Sequence, residues 1–251
     1  MTNDQRPFLH LPFKKQPYKI TEGWYYSKGE QKIHGFRGHG AVDFALPCKT
    51  PVLAAASGWA VASYHLSPVF AWDKNGKRLE SQRKWQGKPV FMGMGRFVRI
   101  YHPNFRVYTQ YAHLSSVAPK IPFRTPRRVG SKFIPVGQNI LIPENLGRSP
   151  YIVFVKAGEE IGKVGDTGLG WGYQDYPERP NSRLYPSWDE VHLHFEVFTK
   201  TKYGKKHYLD SYGIKDHRGA YPDSLKKGSV LGIKGPILWL LDKQGWPRFI
   251  D

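Results

Sequence analysis

Between His39 and Val197 the apolar residues fall in short runs bounded by Gly, Pro and Asn, and no stretch of comparable length shows the 3.6-residue rhythm of an amphipathic helix. AVDFA, PVLAAASGWAVASY, RFVRIYH and RVYTQYAHL are such runs. In RFVRIYH, Phe97, Arg99 and Tyr101 alternate with Val98, Ile100 and His102, the period of two expected when one face of a strand is buried. The 26 glycines and 20 prolines in 251 residues supply the turns, and a 40% apolar content supplies a sizeable core. The chain therefore reads as a mainly β, turn-rich globular protein.

Two segments interrupt the strand rhythm. Residues 65–95 carry the turn signal Asp73-Lys74-Asn75-Gly76, and residues 118–155 are rich in Pro and basic side chains around Pro126, Arg127 and Arg128. Both are expected to be ordered insertions leaving a sheet edge. Residues 1–34, aromatic and Pro-punctuated, read as an N-terminal wrapping arm, and 35–198 as the main domain. Residues 199–251 open with Lys200, Lys202, Lys205 and Lys206, later carry ILWLL, and read as a C-terminal extension packed on that domain.

Thirty-eight Lys and Arg against 20 Asp and Glu give a formal charge of +18, a field that gathers anionic partners such as nucleic acid, anionic wall polymers or a membrane surface. No nucleic-acid-reading motif accompanies the charge, so no specific nucleic acid is expected. No apolar run approaches the ~20 residues of a membrane span, and the first residues lack the basic-then-apolar pattern of a secretory signal. Nothing resembles a coiled coil, which makes a monomer the expectation. The single cysteine, Cys48, rules out an internal disulfide and a cysteine-built zinc site and is read as a small buried filler. Any metal must be held by His and carboxylate.

Three short segments carry such groups. In Val191-His192-Leu193-His194-Phe195-Glu196-Val197, alternation puts Val191, Leu193, Phe195 and Val197 on one face of a strand and His192, His194 and Glu196 on the other. Glu196 there either orients an imidazole or points to solvent. In Gly38-His39-Gly40-Ala41-Val42-Asp43, a fully extended chain would hold His39 and Asp43 ~13 Å apart, so sharing one ion requires a bend that the glycines permit. In Tyr111-Ala112-His113-Leu114, an extended strand would put His113 on the face of Tyr111, with Ala112 and Leu114 turned to a core. His34, five residues before His39, reads as a surface histidine.

His39, Asp43 and His194 together can form an open three-ligand site with a fourth tetrahedral position left for water. One zinc ion suits this mixed donor set, having no redox chemistry and acting as a Lewis acid. His113 and His192 are left for acid–base work and for stabilising a developing oxyanion.

The blocks HGAVDF, TPVLAAASGWAV, YAHL, IGKVGDTG and HLHFEV stand in the order found in the lysostaphin-like zinc metallopeptidases, the glycyl-glycine endopeptidase family, which the chain resembles over roughly residues 35–198. The resemblance implies an antiparallel β-sheet groove of the duplicated hybrid motif type, with loop insertions. It also implies hydrolysis of stem or cross-bridge peptides in bacterial cell-wall peptidoglycan, in the cell envelope or outside the cell. Carried over by position, it makes His39, Asp43 and His194 the zinc ligands and His113 and His192 the catalytic histidines. The insertions, and Gly170 to Asp189 ahead of HLHFEV, depart from the family pattern at places where family loops wall the groove. A non-catalytic wall-binding or regulatory module of the same fold is the alternative, although none of the five polar residues is lost.

Overall fold

The structure is a computed structural model that describes residues 7–23, 39–68, 70–72, 78–82, 84–85, 88–89, 91–124, 127–129, 132–134, 146–168, 191–200, 206–209, 238–243 and 247–250. His34, Gly38 and residues 170–189 lie outside the described residues. Among those described there is no helix, and so none long and apolar enough to cross a membrane.

The strands in chain order are β1 (Lys19–Glu22), β2 (Val42–Ala45), β3 (Pro51–Leu53), β4 (Gly58–Pro68), β5 (Phe70–Trp72), β6 (Arg78–Gln82), β7 (Lys84–Trp85), β8 (Lys88–Pro89) and β9 (Phe91–His102). They continue with β10 (Val107–Ala112), β11 (Leu114–Val117), β12 (Phe123–Arg124), β13 (Arg127–Val129), β14 (Lys132–Ile134), β15 (Val153–Val155), β16 (Glu160–Val164), β17 (His192–Lys200) and β18 (Lys206–Leu209). Nine of them form one sheet in the order β1-β2-β17-β10-β9-β4-β12, with β18 beside β17 and β15 beside β4. Every pairing in it is antiparallel except that of β12 with β4. A second sheet, β11-β16-β3, is antiparallel throughout.

The long β4–β9 ladder runs from Trp59 opposite Tyr101 to Pro68 opposite Phe91, so residues 65–68 and 91–95 prolong the central sheet. The small pairs β5-β6 and β7-β8 lie between them in sequence. Within 118–155, β12 and β15 return to the outer edge of β4, and β13 pairs with β14.

Strand alternation decides what each face of the large sheet buries. Phe44, Ala60, Val98, Ile100, Tyr111, Leu193, Phe195 and Val197 join one core with Val52, Leu114, Ile161 and Val164 of the smaller sheet. The chain ends complete it. Phe8, Leu9, Leu11, Phe13, Leu238 and Trp239 belong to the same core, and the Leu9 amide donates to the Leu238 carbonyl (2.9 Å) while the Leu240 amide donates back to Leu9 (2.8 Å). Each large side chain buried there contributes roughly 1.5–3 kcal/mol.

The opposite face is buried as well, which corrects the expectation from RFVRIYH. Phe97, Arg99 and Tyr101 are buried along with Val98, Ile100 and His102. Tyr101 packs with Val61, Tyr108, Ile152 and Phe198 in a second cluster. Arg99 is accommodated because Nε and Nη2 both donate to Gln110 Oε1 (3.0 and 2.6 Å), and its guanidinium lies against the Phe97 and Phe198 rings. Cys48 is likewise corrected: it is exposed, in the turn after β2 where Lys49 has a φ of 68°.

Candidate active site

The pairing of β2 with β17 sets Asp43 opposite His194 and Ala45 opposite His192. Leu193, Phe195 and Val197 enter the core, so His192, His194 and Glu196 take the other face, as the alternation predicts. The expected bend before β2 is present. Gly40 has a φ of 70°, a conformation that costs glycine little, and it brings His39 Nε2 to 3.3 Å from Asp43 Oδ2.

His113 arrives by a route that strand alternation does not describe. Tyr111 lies fully in the core, against the expectation that it would share the face of His113, and its hydroxyl accepts the Ala55 amide (2.8 Å). Ala112, opposite His194, is on the site face. The strand stops there, and His113 itself adopts a φ of 61°, re-aiming its side chain before β11 begins.

All five residues singled out in the sequence are brought together. His39 Nε2 and His194 Nδ1 are 3.1 Å apart, and His194 Nδ1 is 2.9 Å from Asp43 Oδ1. His192 Nε2 lies 3.6 Å from Asp43 Oδ2. The ring of His113 is 4.8 Å from that of His192 and 5.5 Å from that of His194, centroid to centroid. His39, Asp43, His113 and His194 are buried, and His192 is half-buried. Two sets of ligand atoms can each gather about an ion, His39–Asp43–His194 and His113–His192–His194.

The first set fits zinc. A tetrahedron with bonds of 2.0–2.1 Å has edges of about 3.3 Å, close to the 3.1 Å between His39 Nε2 and His194 Nδ1, while the Asp43 carboxylate reaches the first through Oδ2 (3.3 Å) and the second through Oδ1 (2.9 Å). Its outward atoms fit too, because a ligating imidazole commonly donates its second nitrogen to an acceptor. His39 Nδ1 lies 2.7 Å from the Gly23 carbonyl, and His194 Nε2 lies 3.5 Å from Glu196 Oε1. His113 Nδ1 follows the same rule at 2.8 Å from the Thr167 carbonyl. A carbonyl only accepts, so in His39 and His113 Nδ1 carries the proton and Nε2 is left with its lone pair.

Charge is arranged to match. Burial, reinforced by the neighbouring imidazoles of His194 and His192 and opposed by Asp43, takes His39 down to about 4. Burial and the same two neighbours hold His113 well below the usual histidine range, so both rings are neutral at pH 7. Burial alone would raise Asp43, but the surrounding imidazoles outweigh it and keep the carboxylate ionised. His194 goes the other way: burial lowers it, yet Asp43 and Glu196 together bring it up to about 9.

Glu196 is the orienting group, not a solvated one, since it is buried and accepts from Gln110 Nε2 (2.8 Å) and Lys206 Nζ (2.5 Å). Against burial, Lys206 and His194 keep its carboxyl down at about 2. Sequence reading alone did not single out Thr167, Gln110 or Lys206. Thr167 stood inside the IGKVGDTG block, which was its one signal, and the others meet Glu196 only through strand register.

No family model matches the sequence, and no curated protein matches it. Solved structures do resemble the fold. One is a zinc-containing peptidase from Vibrio cholerae, 20% identical, aligned over 81% of this chain and 39% of that one with a TM-score of 0.39. A second is the catalytic domain of the antimicrobial peptidase lysostaphin from Staphylococcus simulans, 20% identical over 76% of this chain and 88% of that one, TM-score 0.38. A third is a mutant catalytic domain of the prophage-encoded M23 protein EnpA from Enterococcus faecalis, 17% identical over 81% and 98%, TM-score 0.40. The chain thus spans less than half of the Vibrio peptidase.

Proposed function

We propose that the protein is a zinc-dependent endopeptidase that hydrolyses stem or cross-bridge peptides of bacterial peptidoglycan. The reading rests on one observation above all: three buried ligand groups converge within reach of one ion while two further imidazoles flank them. His39 Nε2, one Asp43 carboxylate oxygen and His194 Nδ1 would hold one ion. Zinc bound there supplies Lewis-acid chemistry toward a peptide carbonyl and toward water.

The remaining work falls to this chain's own side chains. His113, neutral and with Nδ1–H committed to Thr167, presents Nε2 as a proton acceptor. His192, the more accessible of the pair, stands where a substrate can reach it. The two share removal of the proton from the attacking water, stabilisation of the tetrahedral oxyanion and return of a proton to the departing amine. Asp43, held ionised, balances the positive charge that these steps place on the rings.

The substrate class comes from the sequence resemblance and agrees with the +18 charge, which favours approach to an anionic wall. On this reading the protein acts as a monomer in the cell envelope or outside the cell. The test combines zinc quantification with a chelator-sensitive assay of wall turbidity and mass spectrometry of released muropeptides. Undiminished hydrolysis by a His113→Ala or His192→Ala protein that retains its zinc overturns the assigned roles. A folded, zinc-loaded protein that releases no peptide favours the wall-binding alternative.

A further inference from the structure

We propose that Thr167 is a positioning residue for His113, fixing the ring's tautomer and direction through a clamp that joins three separate segments. The functional part of this inference rests on the peptidase reading above; the structural part stands without it.

The clamp has four bonds. The Thr167 carbonyl accepts from His113 Nδ1 (2.8 Å), and the Thr167 hydroxyl donates to the Leu114 carbonyl (2.8 Å). The same hydroxyl oxygen accepts the Arg96 amide (2.9 Å), while the His113 amide donates to the Met94 carbonyl (2.9 Å). Thr167 is 4% exposed, so these groups have no competing solvent. One hydroxyl therefore ties β9 and the first residue of β11 to the carbonyl that orients the imidazole between them.

The carbonyl is held from its other side by bare backbone. The Gly93 amide donates to the Gly168 carbonyl (2.9 Å), bringing residues 93–95 across 167–168. A Cβ at Gly95 would lie 2.1 Å from the Thr167 oxygen, and one at Gly168 would lie 2.3 Å from the Gly95 nitrogen. No side chain larger than hydrogen fits between the two strands of chain, which leaves the Thr167 carbonyl little room to rotate. His113, at a φ of 61°, needs such support, because the left-handed region is not one that histidine holds by itself.

A tether that served only stability would leave the ring's tautomer unchanged when weakened. Long-range nitrogen–proton NMR on metal-free protein reads that tautomer directly and needs no catalysis. The wild type is expected to show His113 protonated at Nδ1, with a slowly exchanging proton. Thr167→Val keeps the shape and removes the hydroxyl; it is expected to yield mixed tautomers and fast exchange, and Thr167→Ser is expected to restore the wild-type signature. On zinc-loaded protein, Thr167→Val is expected to lower kcat about tenfold or more with KM and zinc content unchanged.

A wild-type His113 protonated at Nε2 overturns the proposal without any variant. So does a Thr167→Val protein with the wild-type signature. If Thr167→Val does not fold, Gly95→Ala is read in the same way, since its Cβ, 2.1 Å from the Thr167 carbonyl oxygen and 2.4 Å from the hydroxyl, pushes both out of the clamp. An NMR signature that changes as expected in a protein that cleaves no wall peptide retains the clamp and removes the peptidase reading.

Discussion

The protein buries histidine in two quite different neighbourhoods. On the core face, His102 closes a network: Nδ1 donates to the Ser57 carbonyl (2.9 Å), and Nε2 meets the Thr109 hydroxyl (2.9 Å), which lies 3.1 Å from the Tyr111 hydroxyl. On the opposite face, His39, His113 and His194 each settle one ring nitrogen with an outer acceptor and turn the other toward a shared centre. Burial is nearly the same in both and pulls histidine down in each, His102 and His39 to about 4, while Asp43 and Glu196 bring His194 back up to about 9. A perturbed histidine is therefore no mark of function here. The distinguishing property is the convergence of several ring nitrogens on one centre with a carboxylate beside them.

The comparison breaks most visibly if Asp43 can be spared. Asp43→Asn is expected to lower bound zinc to a small fraction of one equivalent and hydrolysis by about 10³-fold or more, measured by metal analysis and turbidity. Removing a flanking ring should separate metal from chemistry. His113→Ala is expected to keep its zinc and lose about 10²- to 10⁴-fold in turnover.

The His102 network should respond in stability alone. In the unfolded chain His102 titrates near 6.5, and in the folded chain near 4. The unfolded chain thus takes up the proton first as pH falls. The contribution is whole above about pH 6.5 and declines by about 3 kcal/mol on the way to pH 4. Urea unfolding of His102→Gln beside the wild type, both zinc-loaded, should show a smaller acid loss in the variant by roughly that amount, with turnover unchanged at pH 7. Tyr111→Phe is the mildest test. It strands the buried Ala55 amide and should cost about 1–3 kcal/mol without altering zinc content or turnover. A tenfold fall in turnover there would mean that the two neighbourhoods are coupled.

Much of the site could be read from sequence because its logic is local. Residues 191–197 need only a two-residue period to send His192 and His194 away from the core, and two glycines beside His39 announce the bend that lets it meet Asp43. What failed was also local in cause. Alternation extended through Tyr111 to His113 assigned Tyr111 to the wrong face, since the strand ends at Ala112 and a left-handed residue follows. RFVRIYH looked half-exposed because nothing in its own seven residues shows that Gln110 will accept from Arg99 and be held in turn by Glu196, a fact created by the pairing of β9, β10 and β17. The contact of Gly95 with Thr167 joins positions far apart in the chain and has no periodic signature at all.

The acceptors behind His39, His113 and His194 differ in kind. Those of His39 and His113 are peptide oxygens of Gly23 and Thr167, whereas that of His194 is the carboxylate of Glu196. A codon change can delete a carboxylate in one step but cannot delete a peptide oxygen. A single substitution can thereby abolish the acceptor only at His194, through Glu196, whereas at His113 it can displace the oxygen but not remove it.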